Sequence, residues 1–149
     1  MYDLPNYQGI RLGMFVHEHK KRIRYGETDQ MGYLYYGNYA LLFEIGRVEA
    51  IRSLGLSYKE LEERLKVMMP VLYLESKYRL PVKYDELITI RTILREMPTK
   101  MIEFHHEILN EEGKIAHKGL VKLFFVDMKT NKRVSTPTYI AEKIAEYFD

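Results

Sequence analysis

The chain has 149 residues, 46% hydrophobic and 13% aromatic, and its 23 Lys and Arg nearly balance its 21 Asp and Glu. This composition is typical of one domain with one core over residues 1–149, and it gives no strong field directed at nucleic acid. The absence of cysteine excludes a disulfide scaffold, a thiolate nucleophile and thiolate metal sites.

The first 13 residues mix proline, asparagine and glycine with polar residues, which predicts an extended or poorly ordered lead-in. They lack the basic start and apolar run of a secretory signal. No stretch approaches the ~18 consecutive apolar residues of a membrane span. We therefore expect a cytoplasmic protein with no membrane span.

Alternating residues predict a strand from Met14 to Tyr25, and its one face carries Phe15, His17, His19, Ile23 and Tyr25. Two histidines on one face suggest a metal, but no third ligand is evident. We therefore expect His17 and His19 at a surface or pocket rim, and no metal site.

A long helix is predicted after the loop that holds Thr28, Asp29 and Gly32. Asn38 is a suitable N-cap, and Gly55 is placed to end the helix. One apolar stripe is predicted through Leu41, Ile45, Val48 and Arg52, widened by Leu42, Ala50, Ile51 and Leu54. Because the helix is apolar on more than one side, we expect it to be buried against a sheet.

The remainder of the chain is rich in strand patterns. Ser57 and Glu60 predict a capping box that opens a short helix. Four strands are predicted at residues 71–80, 87–95, 101–110 and 115–127, with Gly113 in the turn between the last two. A final helix from Pro137 carries Ile140, Ile144 and Phe148 at a spacing of four. Strands grouped after a helix favour an α+β fold in which an antiparallel sheet of about five strands wraps one central helix.

The loop and helix start carry a motif whose residues are Tyr25, Thr28, Asp29, Gly32, Tyr35, Asn38, Tyr39, Glu44 and Arg47. This motif and the order of elements resemble the hotdog fold, specifically the 4-hydroxybenzoyl-CoA thioesterase and YbgC-like acyl-CoA thioesterase family. The element order covers nearly the whole chain, whereas the motif covers residues 25–52.

The resemblance implies that Asp29 is the catalytic carboxylate of a thioester hydrolase. It also implies that a backbone N–H at the helix start, from Tyr36 or Gly37, polarises the thioester carbonyl. Many YbgC-like members carry histidine where this chain has Tyr36, so a role for that side chain is not carried over. We expect substrate-binding or supporting roles at Tyr25, Thr28, Gly32, Tyr35, Asn38, Tyr39 and Glu44.

The chemistry of the residues agrees with these roles but leaves alternatives open. Asp29 is expected either to attack the carbonyl carbon or to deprotonate a water, whereas most loop aspartates only form a turn with their own backbone. A helix N-terminus supplies the donors for an oxyanion. Gly37 is equally well explained by a turn that needs glycine. Glu44 and Arg47, three apart on the helix, predict an ion pair.

The resulting prediction is a cytoplasmic acyl-CoA thioesterase with no cofactor, because coenzyme A is part of the substrate. The family implies a homodimer or homotetramer whose sheets join edge to edge, with sites at the subunit interface. An enzyme that acts on acyl carrier protein and a non-catalytic acyl-CoA-binding module remain as alternatives. The acyl chain is left open.

Overall fold

The computed structural model describes residues 13–148, which form an α+β arrangement of one antiparallel sheet and three α-helices. The strands are β1 (Phe15–Arg22), β2 (Val67–Met68), β3 (Val71–Tyr78), β4 (Leu87–Leu94), β5 (Met101–Leu109), β6 (Ile115–Asp127) and β7 (Lys132–Val134). The α-helices are α1 (Tyr39–Ser53), α2 (Tyr58–Glu63) and α3 (Thr138–Ala145). The predicted fold class is confirmed. The lead-in predicted for residues 1–13 lies, except for Gly13, outside the described residues.

The five long strands lie in the order β1, β4, β5, β6 and β3, and every pairing is antiparallel. The two short strands β2 and β7 pair with the last residues of β6. Strand β1 is shorter than predicted, because Tyr25 lies in a 3-10 turn, Tyr25–Glu27, after the strand has ended. Strands β1 and β3 are therefore the edges of the long sheet.

Helix α1 packs on one face of this sheet, but its buried side differs from the predicted stripe. The buried residues are Tyr39, Leu42, Phe43, Gly46, Ala50 and Ile51. Leu41, by contrast, is 58% exposed. The widening residues Leu42, Ala50 and Ile51 are buried as predicted, but the central stripe was wrong. It passed over Gly46, around which the buried face is centred, because glycine has no side chain to mark it.

Two glycines bring the helix and the sheet into close contact. A Cβ at Gly46 would lie 2.5 Å from Thr92 Oγ1 and 2.7 Å from Ile90 Cγ2. On the sheet, a Cβ at Gly119 would overlap the ring of Phe43. The absence of these side chains allows α1 to seat directly on β4 and β6.

The other boundaries follow the sequence signals. Gly55 has a φ of +82° just after α1 and ends it, and Gly113 has a φ of +79° in the hairpin between β5 and β6. Ser57 Oγ accepts the N–H of Glu60 at 3.1 Å and so caps α2. Ile140 and Ile144 bury one side of α3 in the main core. No helix within residues 13–148 is long and apolar enough to cross a membrane.

Candidate active site

The loop between β1 and α1 is a compact turn held by its own backbone. The N–H of Asp29 donates to Tyr33 O at 2.8 Å, and the N–H of Gly32 donates back to Asp29 O at 3.0 Å. Gly32 adopts a φ of +78°, a conformation that a side chain disfavours. Residues Thr28 and Leu34 then pair as an isolated β-bridge. This bridge places Asp29 beside the chain segment that enters the central helix.

The carboxylate of Asp29 is half-buried and uses only one of its oxygens in the turn. Oδ1 accepts the N–H groups of Met31 at 2.9 Å and Tyr33 at 3.2 Å. Its second oxygen accepts no hydrogen bond from the described residues. The turn role therefore fixes the orientation of the carboxylate and leaves one oxygen available for chemistry.

The helix start is tied to this loop through the backbone carbonyl of Glu27. It accepts the N–H of Tyr35 at 3.0 Å and the side-chain amide of Asn38, through Nδ2, at 2.9 Å. Asn38 does not cap α1 with its side chain, contrary to the sequence prediction. The reason is that a 3-10 turn, Tyr36–Asn38, begins the helix one turn earlier and leaves Asn38 with helical dihedral angles.

The N–H groups of Tyr36 and Gly37 are the free donors of this helix start. Neither donates to another group of residues 13–148. Tyr36 is 67% exposed, so a bound molecule could reach this end of the helix. Such N–H groups carry the positive end of the helix dipole and favour negative charge.

Gly37 is explained by packing rather than by an unusual backbone angle. Its φ angle is not positive, unlike that of Gly32. A Cβ at this position would lie 2.8 Å from Tyr35 Cε1. Glycine therefore allows the ring of Tyr35 to lie against the helix start, and the turn explanation given above for Gly37 does not hold.

Glu27 also holds the loop in place, a role that its sequence position did not lead us to predict. Its carboxylate accepts Lys21 Nζ at 2.9 Å and the N–H of Arg24 at 2.8 Å. Burial raises its pKa, but these two hydrogen bonds and the charges of Lys21 and Arg24 outweigh burial, and the net pKa lies below the usual value. The three-residue spacing of Arg24 and Glu27 was the signal that could have identified this turn.

A cluster of aromatic rings lies behind the helix start. The ring of Tyr39 stacks on His117 with centroids 3.9 Å apart, and Tyr78 meets both rings edge-on. The Tyr78 hydroxyl donates to the carbonyl of Tyr36 at 2.8 Å. His117 Nε2 lies 2.5 Å from Ser76 Oγ, and burial lowers the pKa of His117 to about 4. This cluster links the end of β3 to the first residues of α1.

The remaining predicted residues are arranged around the loop. Tyr25 is 79% exposed, and its ring meets Tyr84 edge-on at 5.8 Å. Thr28 Oγ1 donates to Tyr25 O at 2.7 Å and closes the first turn. The rings of Tyr35 and Tyr36 lie 4.7 Å apart. All four border the loop, and Tyr25, Tyr35 and Tyr36 are exposed in a single chain.

The predicted ion pair between Glu44 and Arg47 is wrong. Glu44 is exposed, and the ion pair that α1 makes at this spacing joins Glu49 to Arg52 instead. Arg47 turns toward the interior, where its Nε is buried and has no partner among the described residues. The i,i+3 spacing allowed the pair, but the buried face of α1 draws Arg47 away from solvent.

The other histidines lie apart from the loop. His106 is buried beside Gly46 and Phe43, and burial, followed by the charges of Arg47 and His105, lowers its pKa to about 3. Burial and the neighbouring His19 lower the pKa of His17. Among residues 13–148, no three His, Cys, Asp or Glu side chains converge as a metal site would require.

Comparison with known proteins gives concordant results over most of the chain. The model of the Thioesterase-like superfamily matches residues 23–144. YneP of Bacillus subtilis, provisionally named an acyl-CoA thioesterase, is 30% identical over 81% of this chain and 87% of its own. The acyl-CoA thioesterase YbgC of Haemophilus influenzae is 28% identical over 78% of this chain and 85% of its own. A solved DHNA-CoA thioesterase of Staphylococcus aureus superposes with a TM-score of 0.81 at 29% identity, covering 88% of this chain and 89% of that one.

Proposed function

The chain belongs to the thioesterase-like superfamily, and from this membership we propose that it hydrolyses acyl-CoA thioesters with Asp29 and the N–H groups of Tyr36 and Gly37. The predicted family and hotdog fold are confirmed by the comparisons, and the enzyme class is thioester hydrolase. The acyl-CoA specificity comes from the names of the relatives. The residue roles are those that the family resemblance implies, and the geometry of the loop and the helix start supports them.

One observation carries the proposal. A carboxylate with a free oxygen lies in a loop that is bonded through Glu27 to a helix start with two free N–H groups. Hydrolysis of a thioester needs a base or nucleophile on one side of the carbonyl and donors for the oxyanion on the other. The loop and the helix start supply both.

In the proposed reaction, the N–H groups of Tyr36 and Gly37 bind the thioester oxygen, on which negative charge develops. Asp29 then acts by one of two routes. It either removes a proton from the water that attacks the carbonyl carbon, or attacks that carbon itself to give an anhydride that water cleaves. Both routes break the carbon–sulfur bond and yield a carboxylic acid and the free thiol of coenzyme A. No metal or cofactor enters either route.

We propose further that two copies of the chain pair along β3. Four consecutive residues of this edge strand, Val71, Leu72, Tyr73 and Leu74, are 44–50% exposed. A long apolar edge is a surface that proteins normally cover, and pairing with a second copy covers it. Because Tyr78 at the end of β3 bonds to Tyr36, the partner chain would then lie next to the proposed site.

Release of free thiol tests the proposed activity directly. The purified protein is offered short, long and aromatic acyl-CoAs, and the thiol is measured with a chromogenic reagent. We expect turnover of at least one class of acyl chain. Binding of acyl-CoA without thiol release would instead favour a binding module. Faster release from an acyl carrier protein bearing the same acyl chain would move the assignment to that carrier.

A further inference from the structure

The hydrogen bond from Tyr78 to the Tyr36 carbonyl has a consequence for the proposed chemistry. We propose that Tyr78 is a positioning residue. Its hydroxyl binds the carbonyl of Tyr36 and thereby directs the N–H of Gly37, which belongs to the same peptide group, at the oxyanion. This inference rests on the proposed function, because it concerns a donor of the same site. No motif residue indicates it, since Tyr78 lies on β3, outside the loop and helix that carry the motif.

The peptide bond between Tyr36 and Gly37 is planar. The carbonyl of Tyr36 and the N–H of Gly37 belong to one peptide group, and in a trans peptide they point in opposite directions. The structure contains no cis peptide bond among its described residues. A hydroxyl that fixes the direction of the Tyr36 carbonyl at 2.8 Å therefore also fixes the direction of the Gly37 N–H.

The bond also affects the strength of the donor. Hydrogen bonds that share a peptide group polarise one another, by about 10–30% per bond in condensed phases. A carbonyl that accepts the Tyr78 hydroxyl draws electron density from its own amide nitrogen. The Gly37 N–H consequently becomes a better donor to a developing negative charge.

The ring of Tyr78 is held well enough to serve this purpose. It pairs across the sheet with His117 and meets the His117 ring edge-on at 4.5 Å and the Tyr39 ring edge-on at 5.1 Å. His117 is in turn bonded to Ser76 on β3. The hydroxyl is therefore directed by packing on two sides, although the residue is 54% exposed overall.

A purely structural bond at such an exposed place would affect stability and not the rate of catalysis. Replacement of Tyr78 by Phe removes only the hydroxyl and keeps the ring contacts. Tyr139→Phe is the matched control, because Tyr139 is a half-exposed tyrosine on α3 whose ring contact is with Lys143. Both variants are compared with the unmodified protein and with Asp29→Asn.

Two readouts are measured on the full chain. The first is the split between kcat and KM for the best acyl-CoA. The second is the amide signal of Gly37 in protein labelled with ¹⁵N-glycine, in which the nine glycines give few signals and Gly37→Ala identifies the relevant one. The second readout does not depend on catalysis.

We expect Tyr78→Phe to lower kcat by about 3- to 10-fold, the effect of one lost hydrogen bond, with KM changed less than about twofold. The Gly37 amide proton should move upfield in Tyr78→Phe and stay in place in Tyr139→Phe. If kcat stays unchanged in Tyr78→Phe, or if kcat falls while the Gly37 signal does not move, the inference is overturned. If the unmodified protein releases no thiol, or Asp29→Asn is fully active, the proposed function falls first and the inference with it.

Discussion

The side chain of Asn38 donates a hydrogen bond of 2.9 Å to the backbone carbonyl of Glu27, eleven residues earlier, instead of capping its own helix. The bond joins the loop that carries Asp29 to the helix start that carries the free N–H groups. Asn38 is therefore a link between the two halves of the proposed site, and its substitution should affect both stability and rate.

Asn38→Ala should lower the free energy of unfolding by about 0.5–1.5 kcal/mol, the usual contribution of one hydrogen bond, and should also lower kcat. Urea unfolding and thiol release measure the two effects. Asn110→Ala is the control, because the Asn110 side chain accepts two N–H groups in the β5–β6 hairpin. We expect that variant to lose stability but keep its kcat. Equal kcat values for the two variants would argue against a linking role for Asn38.

Gly46→Ala should destabilise the fold by about 1–3 kcal/mol through overpacking. The added methyl group would meet Thr92 and Ile90 on β4, neither of which can move away within a hydrogen-bonded sheet. Gly26→Ala is the control, because a Cβ there meets nothing within 4 Å. Urea unfolding of both variants checks the difference. Equal stability of the two would show that α1 does not approach the sheet as closely as described.

Acid should destabilise the protein before its carboxylates titrate. Burial lowers the pKa of His106 to about 3 and of His117 to about 4, from 6.5. Well above pH 6.5 both are neutral whether folded or unfolded, so they add no pH dependence there. As the pH falls below 6.5, His106 and His117 bind protons in the unfolded chain but not in the folded chain. The free energy of unfolding therefore decreases until the pH reaches the folded pKa values.

Unfolding in urea at several pH values measures this effect. From pH 6.5 to pH 5.5 we expect each of the two histidines to contribute about 1 kcal/mol of lost stability. His117→Gln should reduce the slope over this range, because it removes one titrating group. A slope that is the same in the variant and the unmodified protein would show that His117 is not held neutral by burial.

The edge strand β3 should control association. One chain has a mass of 17.8 kDa, and light scattering of the unmodified protein should give twice that value or more. Leu72→Asp places a charge on the exposed edge and should shift the mass toward that of one chain. Leu65→Asp is the control, because Leu65 is a partly exposed leucine just after α2. A single-chain mass for the unmodified protein would contradict pairing along β3.

The order of the five long strands and the three α-helices was predictable because hydrophobic periodicity and the turn glycines Gly55 and Gly113 are local signals. The short strands β2 and β7 were not predicted. The buried face of α1 was not predictable, because Gly46 has no side chain to mark it and the sheet that it approaches is formed by residues far along the chain. Asn38 directly precedes α1, as predicted, but it lies in a 3-10 turn and does not cap the helix. Its side chain instead donates to the carbonyl of Glu27, a contact that only the folded loop creates.

The site shows the same division. The motif around Asp29 is contiguous and was visible in the sequence. The part played by Tyr78 depends on the pairing of β3 with β6, which brings a residue 42 positions away to the carbonyl of Tyr36. No spacing within the motif region encodes that contact.

The most direct measurement is the kcat of Asp29→Asn for thiol release from the best acyl-CoA, relative to Asp127→Asn. Asp127 is the matched control because its Oδ1 also accepts two backbone N–H groups in a turn, from Lys129 and Thr130. Asparagine can keep either turn, so the comparison isolates the carboxylate. We predict a loss of at least about 100-fold for Asp29→Asn, the lower end for a positioned acid or base, and near-normal turnover for Asp127→Asn. Equal turnover of the two variants would remove Asp29 from the mechanism.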